Sequence, residues 1–113
     1  RGTVVYARTG CVSSSQFASN TFQRECGAGW GNHLVIQHSR SIFSRYAHLR
    51  TDGILKAVGE VVEKNEIIGI MGNSGRSDMR HLHLEIGKSV APFRSCASSQ
   101  SFESVTDPAR FGL

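Results

Sequence analysis

His81-Leu82-His83-Leu84-Glu85-Ile86 decides the reading of this chain, because imidazole and aliphatic side chains alternate there with the two-residue period of a β-strand. Side chains two apart on a strand share a face, with Cα atoms about 6.5 to 7 Å apart. The pattern therefore sends His81 and His83 to one side of a sheet and Leu82 and Leu84 to the other. Two imidazoles leaving one strand can hold a metal, or one can bind metal while its neighbour handles protons. A His-x-His pair standing alone is more often exposed or hydrogen-bonded, so its surroundings decide.

Working outward, Gly72-Asn73-Ser74-Gly75 precedes the strand with two glycines, and an abrupt turn is expected there. It lacks the Gly-Lys-Ser/Thr ending and following helix of a phosphate cradle. Residues 67–71 (IIGIM) read as a short buried strand, residues 58–66 as a sharp β-corner and Asp52-Gly53 as a turn. Residues 33–38 and 42–49 read as strands of a hairpin closed by Ser39-Arg40-Ser41, which places His48 at the end of the second. Residues 2–8 (GTVVYAR) form another strand by their β-branched and aromatic content. Between them, residues 9–31 are polar and Gly-punctuated and read as a long loop. Residues 95–104 are weakly patterned, and Asp107-Pro108 opens a final turn or one-turn helix. No segment keeps an apolar repeat at helical spacing, so an all-β fold follows: a compact antiparallel sheet or sandwich.

The chain has 113 residues, enough for one domain spanning residues 1–113 with one modest core. No apolar run approaches the roughly 20 residues of a membrane-spanning helix. The start, Arg1 to Tyr6, lacks the apolar core of a secretory signal, so any targeting segment is expected outside this chain. The formal charge of +4 suggests an anionic partner. The arginines are scattered, however, without a basic run or a recognition-helix pattern, which argues against nucleic acid and for a solvated basic surface. A polyanionic envelope polymer is compatible with the same charge.

Of the three cysteines, Cys11 and Cys26 bracket a Ser-, Thr- and Asn-rich segment that reads as a surface loop needing a staple. A Cys11–Cys26 disulfide is expected; closing such a loop stabilises a fold by roughly 3 kcal/mol and implies an oxidising compartment. Cys96 is left over, for an intermolecular bond, a free thiol or a mate in another piece of chain.

Taken in order, Gly31-Asn32 before a strand, Tyr46-Ala47-His48-Leu49, Val58-Gly59-Glu60-Val61-Val62, Ile68-Gly69, Gly72-Asn73-Ser74-Gly75-Arg76-Ser77, His81-Leu82-His83-Leu84-Glu85 and Asp107-Pro108-Ala109-Arg110-Phe111 resemble the lysostaphin-type, LytM-like zinc endopeptidases. The resemblance implies a zinc ion held by two histidines and an aspartate, with His83 as a ligand and His48 and His81 as the catalytic pair. Which of His48 and His81 is the general base stays open. The remaining ligands belong to a His-x-x-x-Asp motif upstream of the strand matched by residues 2–7, so this domain is expected to be N-terminally incomplete. An upstream segment or companion chain is expected to supply them. His48 and Asp52 have the same spacing, but His48 is already in the catalytic motif and the match is read as coincidence.

The resemblance implies hydrolysis of peptidoglycan stem or cross-bridge peptides in the periplasm or outside the cell. The alternative is a degenerate, non-catalytic wall-binding or regulatory domain; the joint presence of His48, His81 and His83 favours the enzyme. A biotinyl- or lipoyl-type carrier, suggested by residues 58–64, is set aside because residues 71–74 offer no lysine. His38 and Asn32 are expected to have structural, supporting parts, and His33 to be exposed. Asp78-Met79-Arg80 departs from the family's usual Thr-Gly-Pro-like approach to the His-x-His strand, which bears on cleft shape.

Overall fold

The computed structural model describes residues 1–12, 26–76, 81–89 and 101–111. Its strands are β1 (Gly2–Arg8), β2 (Asn32–Gln37), β3 (Ile42–Ile54), β4 (Val61–Val62), β5 (Gly69–Met71), β6 (His83–Lys88) and β7 (Ser104–Thr106), with short 3-10 segments at Cys26–Gly29 and Pro108–Phe111. They form one sheet in the order β4-β1-β2-β3-β6-β7, and β5 pairs with β3 off that path. Every pairing is antiparallel, as the alternating patterns require.

The pleat explains how the core forms. Val4 pairs with Ile36 and Leu34 with Tyr46, and these residues pack with Leu49, Val62 and Ile68 on one face. Tyr6 pairs with Val35 on the opposite face, where they pack with Phe43 and Phe102. β2 is consequently buried on both sides. Each such aliphatic or aromatic side chain contributes about 1.5 to 3 kcal/mol by leaving water. Leu82, nearly half exposed, lines an open groove on the first face with Ile36, Val62, Ile68 and Ile86. Among the described residues no helix is long and apolar enough to cross a membrane.

Several local expectations need correction. Asp52-Gly53 is not a turn: β3 runs on to Ile54, with Asp52 at φ 60° inside it. Gly53 makes this possible, because a methyl group there would lie 2.8 Å from Arg50 O and 3.0 Å from Ile70 O. Residues 67–71 are not a buried strand. Ile67 is 73% exposed and only Gly69–Met71 pairs, through two registers with β3 separated by an irregularity. The corner at residues 58–66 shrinks to β4 between turns that use Gly59 (φ 97°) and Asn65 (φ 68°). β7 begins at the last residue of the weakly patterned stretch, and its register against β6, Ile86 to Thr106 and Lys88 to Ser104, replaces any pattern of its own. The final turn is the 3-10 segment Pro108–Phe111.

Cys11 and Cys26 are joined by a disulfide, with Cα atoms 5.9 Å apart. Cys96 and Asp78-Met79-Arg80 lie outside the described residues.

Candidate functional site

β3 forks at His48. Its pairing with β6 runs from Ile42–Lys88 to Ala47–His83, and its pairing with β5 begins at Leu49–Met71. The residue between the two ladders has φ 60°, a left-handed conformation that costs a non-glycine residue roughly 1 to 3 kcal/mol unless its surroundings enforce it. They do so through backbone bonds: His48 N donates to Trp30 O (2.8 Å) and Gly72 N donates to His48 O (3.0 Å). The ring is fixed as well, Nδ1–H donating to Ser74 O at 2.7 Å. In the neutral imidazole Nδ1 is therefore the protonated nitrogen and Nε2 carries the lone pair. Burial lowers the His48 pKa and the neighbouring His81 and His83 lower it further, against the bond to Ser74, so neutral imidazole prevails at pH 7.

His81 and His83 meet His48 by different routes. β6 begins only at His83, which pairs with Ala47, whereas His81 forms an isolated bridge with Gly72. The expectation that one strand carries both therefore needs amending. The turn supplies the first histidine and the strand the second. The result is still convergence: the His48 ring centroid lies 4.8 Å from that of His81 and 5.7 Å from that of His83, the latter edge-on. Gly72 sets the approach of the turn, since a methyl there would lie 2.9 Å from the carbonyl carbon of Leu49.

The other side of His83 leads into the sheet. Glu85 Oε1 is 3.5 Å from both His83 Nε2 and Arg45 Nη1. Arg45 is fully buried, with its guanidinium 3.6 Å from the Trp30 ring centroid and 4.7 Å from that of Phe102. A cation stacked between aromatic faces and facing a carboxylate remains charged in a dry site. Burial lowers its pKa to about 10, still well above neutrality, and Glu85 opposes the fall. Arg45 is thus no part of the solvated basic surface expected from scattered arginines. Sequence reasoning missed the set of Arg45, Glu85 and Trp30; the cross-strand pairing of Arg45 with Glu85 was its only signal.

His33, expected to be exposed, is completely buried. Core clusters cover both faces of β2, and the imidazole stacks on Tyr6 (centroids 5.3 Å apart) and tilts against Trp30 (5.5 Å). Its Nδ1–H donates to Gly31 O at 2.9 Å, and Nε2 is buried without a hydrogen-bond partner among the described residues. Burial lowers its pKa from 6.5 to about 4. Between these pH values the unfolded chain binds a proton that the folded one refuses. The stability that neutral His33 contributes is therefore complete above pH 6.5 and lost as pH falls towards 4, by up to about 3 kcal/mol. Denaturant unfolding from pH 7 to 4 should show this loss, and His33→Gln should flatten it; equal slopes would refute the assignment.

His38 lies just beyond β2, with Nε2 2.6 Å from Ser44 Oγ and Nδ1 3.2 Å from Arg1 O. It lines the groove with Ile36 and Leu82 rather than joining the histidine cluster. Asn32 is buried beneath the site.

A zinc ion would require more donors than this cluster holds. Among the described residues no group of three or more His, Cys, Asp or Glu side chains is arranged to hold a metal. His48 Nδ1 is committed to Ser74 O, and His83 lies towards Glu85. Among the described residues the cluster is therefore not a closed metal site.

Residues 1–94 match the model of Peptidase family M23. The peptidoglycan DD-endopeptidase ShyA of Vibrio cholerae is 43% identical over 56 residues, 50% of this chain and 13% of that protein. Lipoprotein NlpD of Yersinia enterocolitica is 41% identical over 69 residues, 58% of this chain and 68% of that sequence. The chain spans about one seventh of the length of the first curated relatives it matches, 14% and 13%. A zinc-containing peptidase from Vibrio cholerae superposes with a TM-score of 0.57 at 30% identity, covering 80% of this chain and 22% of that one. The catalytic domain of lysostaphin from Staphylococcus simulans shares the fold, with a TM-score of 0.56 at 24% identity over 97% of this chain and 70% of that one. With the family model spanning β1 to β6, the strand that carries His83, this chain belongs to peptidase family M23.

Proposed function

We propose that this chain is the greater part of the catalytic domain of a zinc-dependent endopeptidase that hydrolyses peptide bonds in peptidoglycan stem or cross-bridge peptides, in the periplasm or outside the cell. The observation that carries the reading is the convergence of His81 and His83 on the ring of a strained, doubly anchored His48. Support for the substrate comes from the relatives, one of which is named a peptidoglycan DD-endopeptidase.

His83 is one zinc ligand, and the others come from a His-x-x-x-Asp motif in an upstream segment or companion chain. When bound, zinc supplies Lewis acidity to water and to the scissile carbonyl. The chain's own residues supply the proton traffic. His48, neutral and presenting the Nε2 lone pair, takes the proton of the attacking water. His81 beside it donates a ring N–H to the developing oxyanion. Glu85 braces the His83 ring and is itself fixed by Arg45.

The test is elemental analysis of the intact protein joined to a chelation experiment. Stoichiometric zinc, loss of peptidoglycan hydrolysis on chelation and its return with added zinc are expected. Hydrolysis that persists after the metal has been removed would overturn the mechanism.

A further inference from the structure

The segment between the disulfide and His48 is built as a closed circuit of hydrogen bonds. Asn32, fully buried at the start of β2, clamps Cys11 at two points: Cys11 N donates to Asn32 Oδ1 at 2.8 Å and Asn32 Nδ2 donates to Cys11 O at 2.7 Å. The side-chain amide thus pairs with a loop residue as a neighbouring strand would. Asn32 Nδ2 also reaches Leu49 O at 3.2 Å, immediately after His48. Its backbone N donates to Ser74 Oγ at 2.9 Å, and Ser74 Oγ donates to Leu49 O at 2.6 Å. Ser74 O then accepts the His48 Nδ1 proton. At the other end of the disulfide, Cys26 O accepts from Gly31 N at 2.9 Å, one residue from Trp30, whose carbonyl accepts from His48 N.

Of the hydrogen bonds around His48, the ring bond therefore goes to Ser74, whose Oγ accepts from Asn32 N, the backbone N bond goes to Trp30, two residues before Asn32, and the carbonyl of the following residue, Leu49, accepts from Asn32 Nδ2, while Gly72 N holds His48 O from outside this hub. The disulfide holds the two loop ends against this hub, Cys11 on the Asn32 side chain and Cys26 on Gly31. A buried primary amide with three such bonds is costly to disturb, because removing it strands donors and acceptors in a dry interior.

We infer that Asn32 is a positioning residue for His48, acting through the Leu49 carbonyl that its side-chain amide shares with Ser74 Oγ, and that the Cys11–Cys26 disulfide holds the loop that completes this support. The inference rests on the reading of His48 as catalytic. It adds a device that depends on the two cysteines of this chain, so oxidation of the protein and alignment of its base are linked.

The experiment uses the intact protein in its oxidised, zinc-loaded form and follows two quantities in Asn32→Ala and in the double variant Cys11→Ser, Cys26→Ser. One is the NMR signal of the His48 Nδ1 proton, assigned with a His48→Gln control. The other is the split between kcat and KM on a soluble muropeptide. Loss or rapid solvent exchange of the Nδ1 proton is expected in both variants, with kcat lowered on the order of 10²-fold by Asn32→Ala and KM nearly unchanged. The double serine variant should move both readings in the same direction and by less. Should Asn32→Ala fail to fold, the double variant and Asn32→Asp, which keeps the acceptor for Cys11 N and loses the donor to both Cys11 O and Leu49 O, carry the test.

A protected Nδ1 proton and unchanged kcat in the folded variants would overturn the inference. An exposed proton with undiminished kcat would overturn it too, by removing His48 from catalysis, and a fully active His48→Gln protein would identify that failure as one of the catalytic reading itself.

Discussion

His81→Ala is expected to lower kcat/KM for peptidoglycan hydrolysis by about 10² to 10⁴-fold, the usual contribution of a positioned acid–base group. The fold should survive. His81 lies before β6, in an isolated bridge where its backbone N donates to Gly72 O at 3.3 Å, and the substitution leaves that atom in place. Its ring is tilted against that of His48 and is only partly buried. A variant with wild-type thermal stability and lost activity is thus the predicted outcome. Full activity would remove His81 from the mechanism, whereas joint loss of activity and stability would recast it as a structural residue.

Gly75→Ala should lower stability by about 3 kcal/mol or more, because two separate costs add. The first is conformational. Gly75 has φ 73°, where an alanine is strained by roughly 1 to 2 kcal/mol. The second is steric, since the new methyl would lie 2.6 Å from Gly29 O and 2.8 Å from Gly31 Cα, both backbone atoms with no rotamer to escape into. Gly59→Ala is the internal control: its φ of 97° is equally left-handed, but nothing lies within 4 Å of the added methyl. Only the conformational cost should appear there. Denaturant titration of the two variants would separate the terms, and equal losses would show that the close packing of residues 72–76 on Gly31 has been misjudged. Gly75→Ala should also reduce activity in whatever fraction remains folded, because it pushes Ser74 O off the His48 ring.

The general architecture was visible in the sequence because it depends on period. Alternation in residues 2–8, 33–38 and 42–49 needs only a pleat and a core, and β1 coincides with the first of these stretches. β7 and the extension of β3 past Leu49 depend on partners instead. Ser104–Thr106 becomes a strand because β6 offers it an unpaired edge, and Asp52-Gly53 stays in β3 because Ile70 packs against a glycine. Neither condition leaves a local mark on the sequence.

The same division runs through the site. His48, His81 and His83 were found by side-chain type and frame, and the structure brings their rings together. What anchors them was missed because it is mostly backbone: Trp30 O, Ser74 O and Gly72 N carry no signature of the bonds they make. His33 was misjudged because alternation tells which face a residue takes and not whether that face is covered. Once β3 and the Trp30 turn enclose β2, the same face is interior.

The most direct test of the central claim is digestion of a purified cross-linked muropeptide by the intact, zinc-loaded protein, with products read by mass spectrometry and the same reaction run with His48→Gln. The account predicts hydrolysis at a peptide bond by the wild type and a loss of at least about 10²-fold in the variant. An intact substrate in the presence of folded, zinc-bound wild-type protein would contradict it.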